Sequence, residues 1–229
     1  MMQLLELLPM TILGAILGLD VVSFPQAMIS RPIVAATLAG SLMGEPLRGL
    51  IAGVTLELFA LETLPFGASR YPEWGSAAVV GGAIFAGQRE TTAGALTVAV
   101  FAALVTASVS GWSMIQHRKV LGRWGGGMRE LLARGSSSAV TRLQIGGLTL
   151  DLLRGALMTF VALAVFGPLS RNLLNTWTFT NGQSRAFVVA LAGAVGAGAV
   201  WKVVHTTSGA RWYLLGGLAV GALMLVSRS

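Results

Sequence analysis

Cysteine is absent from this chain, so disulfides, thiolate metal sites and a cysteine nucleophile are all excluded. Histidine occurs only at His117 and His205, too far apart for metal-ligand spacing, and neither a metal nor another cofactor is expected. Charge is scarce. Only 11% of residues are Asp, Glu, Lys or Arg, against about 25% in a typical soluble domain. Acids are the scarcer sign, nine against 16 basic residues, for a net charge of +7. That excess does not imply nucleic acid. The cations cluster at the ends of apolar runs, as membrane topology demands, and no nucleic-acid recognition motif accompanies them. No catalytic constellation is visible, so an enzyme acting alone is not expected. The first residues of the first apolar run carry Glu6 and no Lys or Arg. The run lacks the basic start of a secretory signal and is expected to be retained.

What is abundant is apolar. Hydrophobic residues make up 54% of the 229, and the mean hydropathy is +0.74. Thr91–Gln116, Gly155–Ser170 and Ala186–Trp201 carry no charge at all. A membrane span needs about 20 mostly apolar residues to cross about 30 Å of hydrocarbon. The expectation is an all-α, polytopic integral membrane protein. It forms one domain over residues 1–229, with roughly six to eight hydrophobic segments, some of them broken or re-entrant rather than crossing fully.

Proline and glycine set the breaks. The first segment, Leu4–Leu19, ends at Asp20, and Ser23-Phe24-Pro25 and Arg31-Pro32 then interrupt any continuous helix. Pro32–Met43 and Ser76–Gly87 are each too short to span alone. Paired short segments of this kind point to a site built at mid-membrane from discontinuous helices. Residues 1–90 are thus read as a broken-helix substrate region. Residues 117–142 hold Arg118, Lys119, Arg123, Arg129, Arg134 and Arg142 against the single acid Glu130, and are read as a basic loop on the cytoplasmic side. Within it, Met128–Ala133 is predicted as a short interfacial helix flanked by flexible joints at Gly125–Gly127 and Ser136–Ser138. The loop is either a solvated connection or a docking surface for a soluble partner, with Arg118, Lys119 and Arg123 as its contacts. Residues 143–229 supply C-terminal helices, and Arg171–Arg185 reads as an extracytoplasmic loop with interfacial aromatics. Asp151 and Arg154, spaced i, i+3, are expected to pair on one helix face.

Charges inside an apolar background cost about 2.5–3.5 kcal/mol each and usually face a cavity or one another. Asp20, Gln26, Arg31, Glu57 and Glu62 fall in such a background. One reading is a polar pocket for a hydroxylated solute: carboxylates accept hydrogen bonds from hydroxyls, and Gln26 both donates and accepts. The other is an Arg31–acid pair that ties a broken helix together. Asp20, Arg31 and Glu57 are brought together if the first three segments pack against one another.

The order Ser30-Arg31-Pro32-Ile33-Val34, Gly40, Gly44-Glu45, Gly49, Gly53, Leu56-Glu57-Leu58, Gly67-Ala68, Pro72-Glu73 resembles the membrane IIC component of the mannose/sorbose family of phosphoenolpyruvate-dependent sugar phosphotransferase systems. The motifs lie in the first third of the chain; beyond about Gly87 the likeness is one of hydropathy and the basic segment. The resemblance adds Glu73 to the substrate-binding candidates. It implies a multi-pass protein of the bacterial cytoplasmic membrane that pairs with a IID membrane subunit in a trimer of IIC–IID pairs. It further implies inward movement of a hexose or amino sugar, coupled to phosphorylation by soluble IIA and IIB proteins that carry the phosphoryl group. Glu62 departs from the family pattern, where a small residue is usual. The arginine-rich loop and the short C-terminal end depart as well. Two other readings stay open at this level: a diverged regulatory or structural membrane subunit, and a proton-coupled transporter using Glu57 and Glu62.

Overall fold

The computed structural model describes residues 4–21, 23–61, 72–88 and 92–226. Nine helices and no strands are found among them. The molecule is an all-helical polytopic membrane protein, and three of its helices are long and apolar enough to cross a bilayer.

α1 (Leu4–Asp20) is followed by a loop that ends where proline opens α2 (Pro32–Leu42). α3 (Pro46–Ala60) also opens on proline. A proline in the first turn fits because the missing N–H has no intrahelical partner there anyway. Eleven residues make α2 only about 16 Å long, half the hydrocarbon thickness. Gly44, at φ +78°, turns the chain, and α2 and α3 fold back on each other as a short hairpin. Their backbones touch: a Cβ on Gly40 would lie 2.6 Å from the Cα of Gly49. This is the re-entrant element the Pro/Gly pattern predicts.

α4 (Trp74–Ala86) is the centre of the fold. Every residue from Gly75 to Ala86 is buried, beneath α1, α2, α3, α5 and α7. Small residues make that possible by letting backbones approach closely. A Cβ on Gly82 would stand 2.6 Å from the carbonyl oxygen of Ala36, and one on Gly75 2.3 Å from that of Leu17. A helix about 20 Å long leaves both ends at membrane depth, where free N–H and C=O groups are costly. The structure satisfies both ends with charge. Glu73 accepts the N–H of Ser76 at one end. At the other, the Arg48 guanidinium donates to the carbonyls of Ala86 and Gln88.

α5 (Ala93–Gly127) and α7 (Ser137–Asn175) are the long spans, 35 and 39 residues. At 1.5 Å per residue each exceeds about 50 Å, so both protrude from the bilayer. They protrude at the basic end, which corrects the reading of 117–142 as a loop. The predicted short helix is present as α6 (Arg129–Ala133), but Gly125–Gly127 form the last turn of α5 rather than a joint. Ser136 caps α7 through the N–H of Ala139. The reason is packing: Trp124 lies on Gly146, and Leu121 on Gly147, so the two protruding helices hold each other. α8 (Asn181–Val204) begins at a capping box between Thr180 and Gln183 and packs on α5 and α3. α9 (Ala210–Val226) packs on α8.

Candidate functional site

The broken helices bring a set of polar groups to one buried place, at the C-terminal end of α1, the N-terminal end of α4 and the mid-length of α5 and α7. Glu73, Ser76, Ser110 and Asp151 are each at most 1% exposed. The N–H of Glu73 donates to the Ala107 carbonyl at 3.0 Å, which fixes the start of α4 against α5. The Glu73 carboxylate accepts from the Ser76 N–H and hydroxyl, and from the Ser110 hydroxyl at 2.6 Å. Arg154 of α7 reaches into the same space. Its Nε donates to Asp151 at 2.8 Å, and its Nη1 donates to the Ser110 hydroxyl at 3.1 Å and lies 4.0 Å from Glu73. The Asp151–Arg154 pair is the i, i+3 pairing the sequence predicts, extended to a second acid.

Asp151 also ties in two other elements. Its second oxygen accepts from the Ser23 hydroxyl at 2.5 Å, fastening the α1–α2 loop to α7. His117 of α5 places Nδ1 3.9 Å from Asp151, while its Nε2 is buried without a hydrogen-bond partner among the described residues. Two acids and one arginine leave this cluster one negative charge in excess when His117 is neutral. Burying charge is tolerable only when the groups are paired and hydrogen-bonded, and the serine hydroxyls supply those bonds.

The other candidates have partners of their own or lie elsewhere. Asp20, 1% exposed, accepts from the N–H groups of Ala27 at 2.7 Å and Ser30 at 2.9 Å. It therefore shapes the loop that carries Gln26, which is exposed and held at φ 58°. Arg31 forms a direct ion pair with Glu57, which also accepts the Ile33 N–H at 3.1 Å. Glu57 thereby binds the start of α2 to α3. The structure brings Arg31 and Glu57 together as a tie across the broken helix, while the carboxylate of Asp20 turns to the loop backbone. Glu62 lies outside the described residues. Arg118, Lys119 and Arg123 are exposed on the protruding part of α5. Lys119 and Arg123, four residues apart, share one face.

Sequence reasoning treats Arg154 as half of a local pair and passes over Ser23, Ser76, Ser110 and His117. The available signal was polarity: these residues interrupt apolar runs. Their convergence is tertiary, since Ser110 and Glu73 stand 37 positions apart and Arg154 and Ser110 44.

Comparison with known proteins follows the same lines. A family model described as the PTS system sorbose-specific IIC component matches residues 4–226. The fructose permease IIC component of Bacillus subtilis (strain 168) is 35% identical over 79 residues, 34% of this chain and 29% of that protein. The chain thus aligns with less than a third of that relative's length. A solved structure described as a membrane protein superposes with a TM-score of 0.69 at 20% identity, over 97% of this chain and 86% of the other. The cryo-EM structure of the mannose transporter ManYZ with microcin E492 does so with a TM-score of 0.62 at 19% identity, over 99% and 95%. At these identities the likeness to the two structures is one of fold.

Proposed function

We propose that this chain, which belongs to the family of sorbose-specific IIC components of the phosphotransferase system, is the sugar-moving subunit of a mannose/sorbose-type permease in a bacterial cytoplasmic membrane. It takes a hexose or amino sugar inward. A IID-type membrane subunit completes the path, in a trimer of such pairs, and soluble IIA and IIB proteins carry the phosphoryl group. This chain moves and presents the sugar rather than phosphorylating it.

The observation that carries this reading is the hydrogen bonding of Glu73. Its carboxylate is buried, and two of its partners are serine hydroxyls. A sugar is a set of hydroxyls that must find fixed partners once stripped of water, because an unpaired buried polar group costs about 1–3 kcal/mol. Replacing the Ser76 and Ser110 hydroxyls on Glu73 by two sugar hydroxyls keeps the number and kind of bonds on the carboxylate. The displaced Ser76 and Ser110 hydroxyls, both buried, then need acceptors of their own, which the sugar's hydroxyl oxygens can supply. Arg154 holds the charge of Glu73 in place during the exchange. Asp20 sets the loop that carries Gln26, a side chain able to donate and accept. Arg31 and Glu57 hold the α2–α3 hairpin. On the cytoplasmic side, Arg118, Lys119 and Arg123 present positive charge to the phosphorylated IIB protein, steering its approach.

The test is sugar phosphorylation by vesicles containing this chain and a IID-type partner. Phosphoenolpyruvate and the soluble phosphotransferase proteins are supplied with a panel of hexoses and amino sugars. Sugar phosphate is expected on the side of the soluble proteins only when both membrane chains are present. Assembly of the pair without sugar binding or reaction contradicts the proposal and favours a structural or regulatory subunit. Uptake that collapses with an uncoupler and needs no phosphoenolpyruvate favours a proton-coupled carrier.

A further inference from the structure

A polar cavity of about 680 Å³ opens at the end of the molecule opposite the basic helices. It lies between the end of α4, the start of α5, the end of α7 and the α7–α8 connection. Its volume falls within the range of about 300–1,000 Å³ typical of small-molecule sites. Gln88, Arg171, Asn175, Trp177, Phe179 and Asn181 line it.

The bonding capacity left over in this cavity is mixed. Gln88 spends its amide N–H groups on the Ile84 carbonyl and the Ser170 hydroxyl, leaving its amide oxygen to accept. Asn181 spends its oxygen on the N–H of Ala93, leaving its NH₂ to donate. The Asn175 amide offers both, and Arg171 donates only. No acid lines the cavity among the described residues. Trp177 and Phe179 meet edge to face, with ring centroids 5.6 Å apart. The Trp177 N–H is already bonded to the Ser184 hydroxyl, so what the ring offers a ligand is its apolar surface. Among the described residues a cation finds no counter-charge here. An anion finds one guanidinium, but also amide oxygens it cannot use. Alternating donors and acceptors beside aromatic surface suit a neutral molecule that carries hydroxyls and an apolar C–H face.

α4 joins this cavity to the buried cluster. Glu73 stands immediately before its first residue, and Gln88 lies two residues beyond its last, so the two sites are separated by about 20 Å of rigid helix. The basic ends of α5 and α7 put the cavity on the extracytoplasmic side. Building on the function proposed above, we infer that this cavity is an outer subsite that takes a free sugar from the extracytoplasmic side, ahead of the buried cluster at Glu73.

The absence of cysteine makes the test direct. Asn175→Cys is made in the full chain, expressed with its IID-type partner in intact cells, and labelled with a membrane-impermeant maleimide. Arg171→Cys serves as a second reporter, since both positions are exposed. The thiol of each variant is expected to react from outside, several-fold more slowly with millimolar fructose, mannose or sorbose present. Glycerol phosphate is expected to have no effect. Protection is expected to persist in a Glu73→Gln background, because the outer subsite does not need the buried one. Failure to label from outside, or labelling indifferent to every sugar, overturns the inference even where sugar phosphorylation proceeds. Slowing in phosphatidylglycerol vesicles relative to phosphatidylcholine vesicles, without any effect of sugar, also overturns it and makes the cavity a lipid-headgroup site. Sugar protection without any phosphorylation would instead keep the outer subsite and remove the permease reading.

Discussion

Replacing Arg154 by methionine keeps most of the apolar stem and removes the one cation between Asp151 and Glu73. Both acids are then left without it at 1% and 0% side-chain exposure, having had it at 2.8 and 4.0 Å. At an effective dielectric of about 20, a pair 4 Å apart attracts by about 4 kcal/mol. Breaking a buried pair by removing one partner costs about 3–5 kcal/mol, because the remaining charge stays buried. The serine hydroxyls on Glu73 remain, which places the expected loss toward the lower end, about 3 kcal/mol. Equilibrium unfolding in mixed micelles reads this as a shift of roughly a hundredfold in the folding constant. Asp151→Asn removes one of the stranded charges, so the double variant is expected to recover part of the loss, with a coupling energy of at least about 1 kcal/mol. Arg154→Met within about 0.5 kcal/mol of the native chain, the level of an ordinary surface substitution, would refute the reasoning. So would strict additivity in the double variant.

Other substitutions probe other links. Glu57→Gln keeps an acceptor for the Ile33 N–H but loses the charge paired with Arg31, and is expected to abolish sugar uptake while the protein still reaches the membrane; full uptake excludes Glu57 from the site. Neutralising Arg118, Lys119 and Arg123 together is expected to weaken coupling to the phosphorylated IIB protein and leave sugar binding intact; equal coupling in reconstituted vesicles marks the basic end as a solvated helix. Gly82→Val places carbon against the Ala36 backbone, where even a Cβ meets oxygen at 2.6 Å. Overpacking of this kind costs about 1–3 kcal/mol, and unfolding in mixed micelles at near-native stability would show that α2 and α4 are not in contact as described.

Much of this architecture is legible in the sequence because proline and glycine act locally. Pro32 and Pro46 start helices, Gly44 turns the chain, and the short segments at Pro32–Met43 and Ser76–Gly87 appear within two residues of α2 and α4. The basic stretch is less legible. Arginine, glycine and serine there look like a loop, and it is the contacts of Trp124 with Gly146 and Leu121 with Gly147 that make two protruding helices of it. The site divides the same way. Arg31 with Glu57 and Asp151 with Arg154 follow from charge in an apolar background, where a partner must be near. Which acid meets which hydroxyl does not follow, because Glu73, Ser110 and Arg154 come from α4's start, α5 and α7, and helix packing rather than spacing decides their register.

The central claim is that Glu73 exchanges serine hydroxyls for those of the sugar. Its most direct test is equilibrium binding of radiolabelled sugar to the purified pair of membrane chains, native against Glu73→Gln. Glutamine retains the size and one acceptor oxygen but loses the charge that makes each hydroxyl bond strong, and hydrogen bonds to charged groups are worth about 1.5–3 kcal/mol. Binding to the variant is expected to be at least about tenfold weaker, with the pair still assembled. Equal affinity in an intact Glu73→Gln pair would contradict the claim and leave Glu73 as the cap of α4 and nothing more.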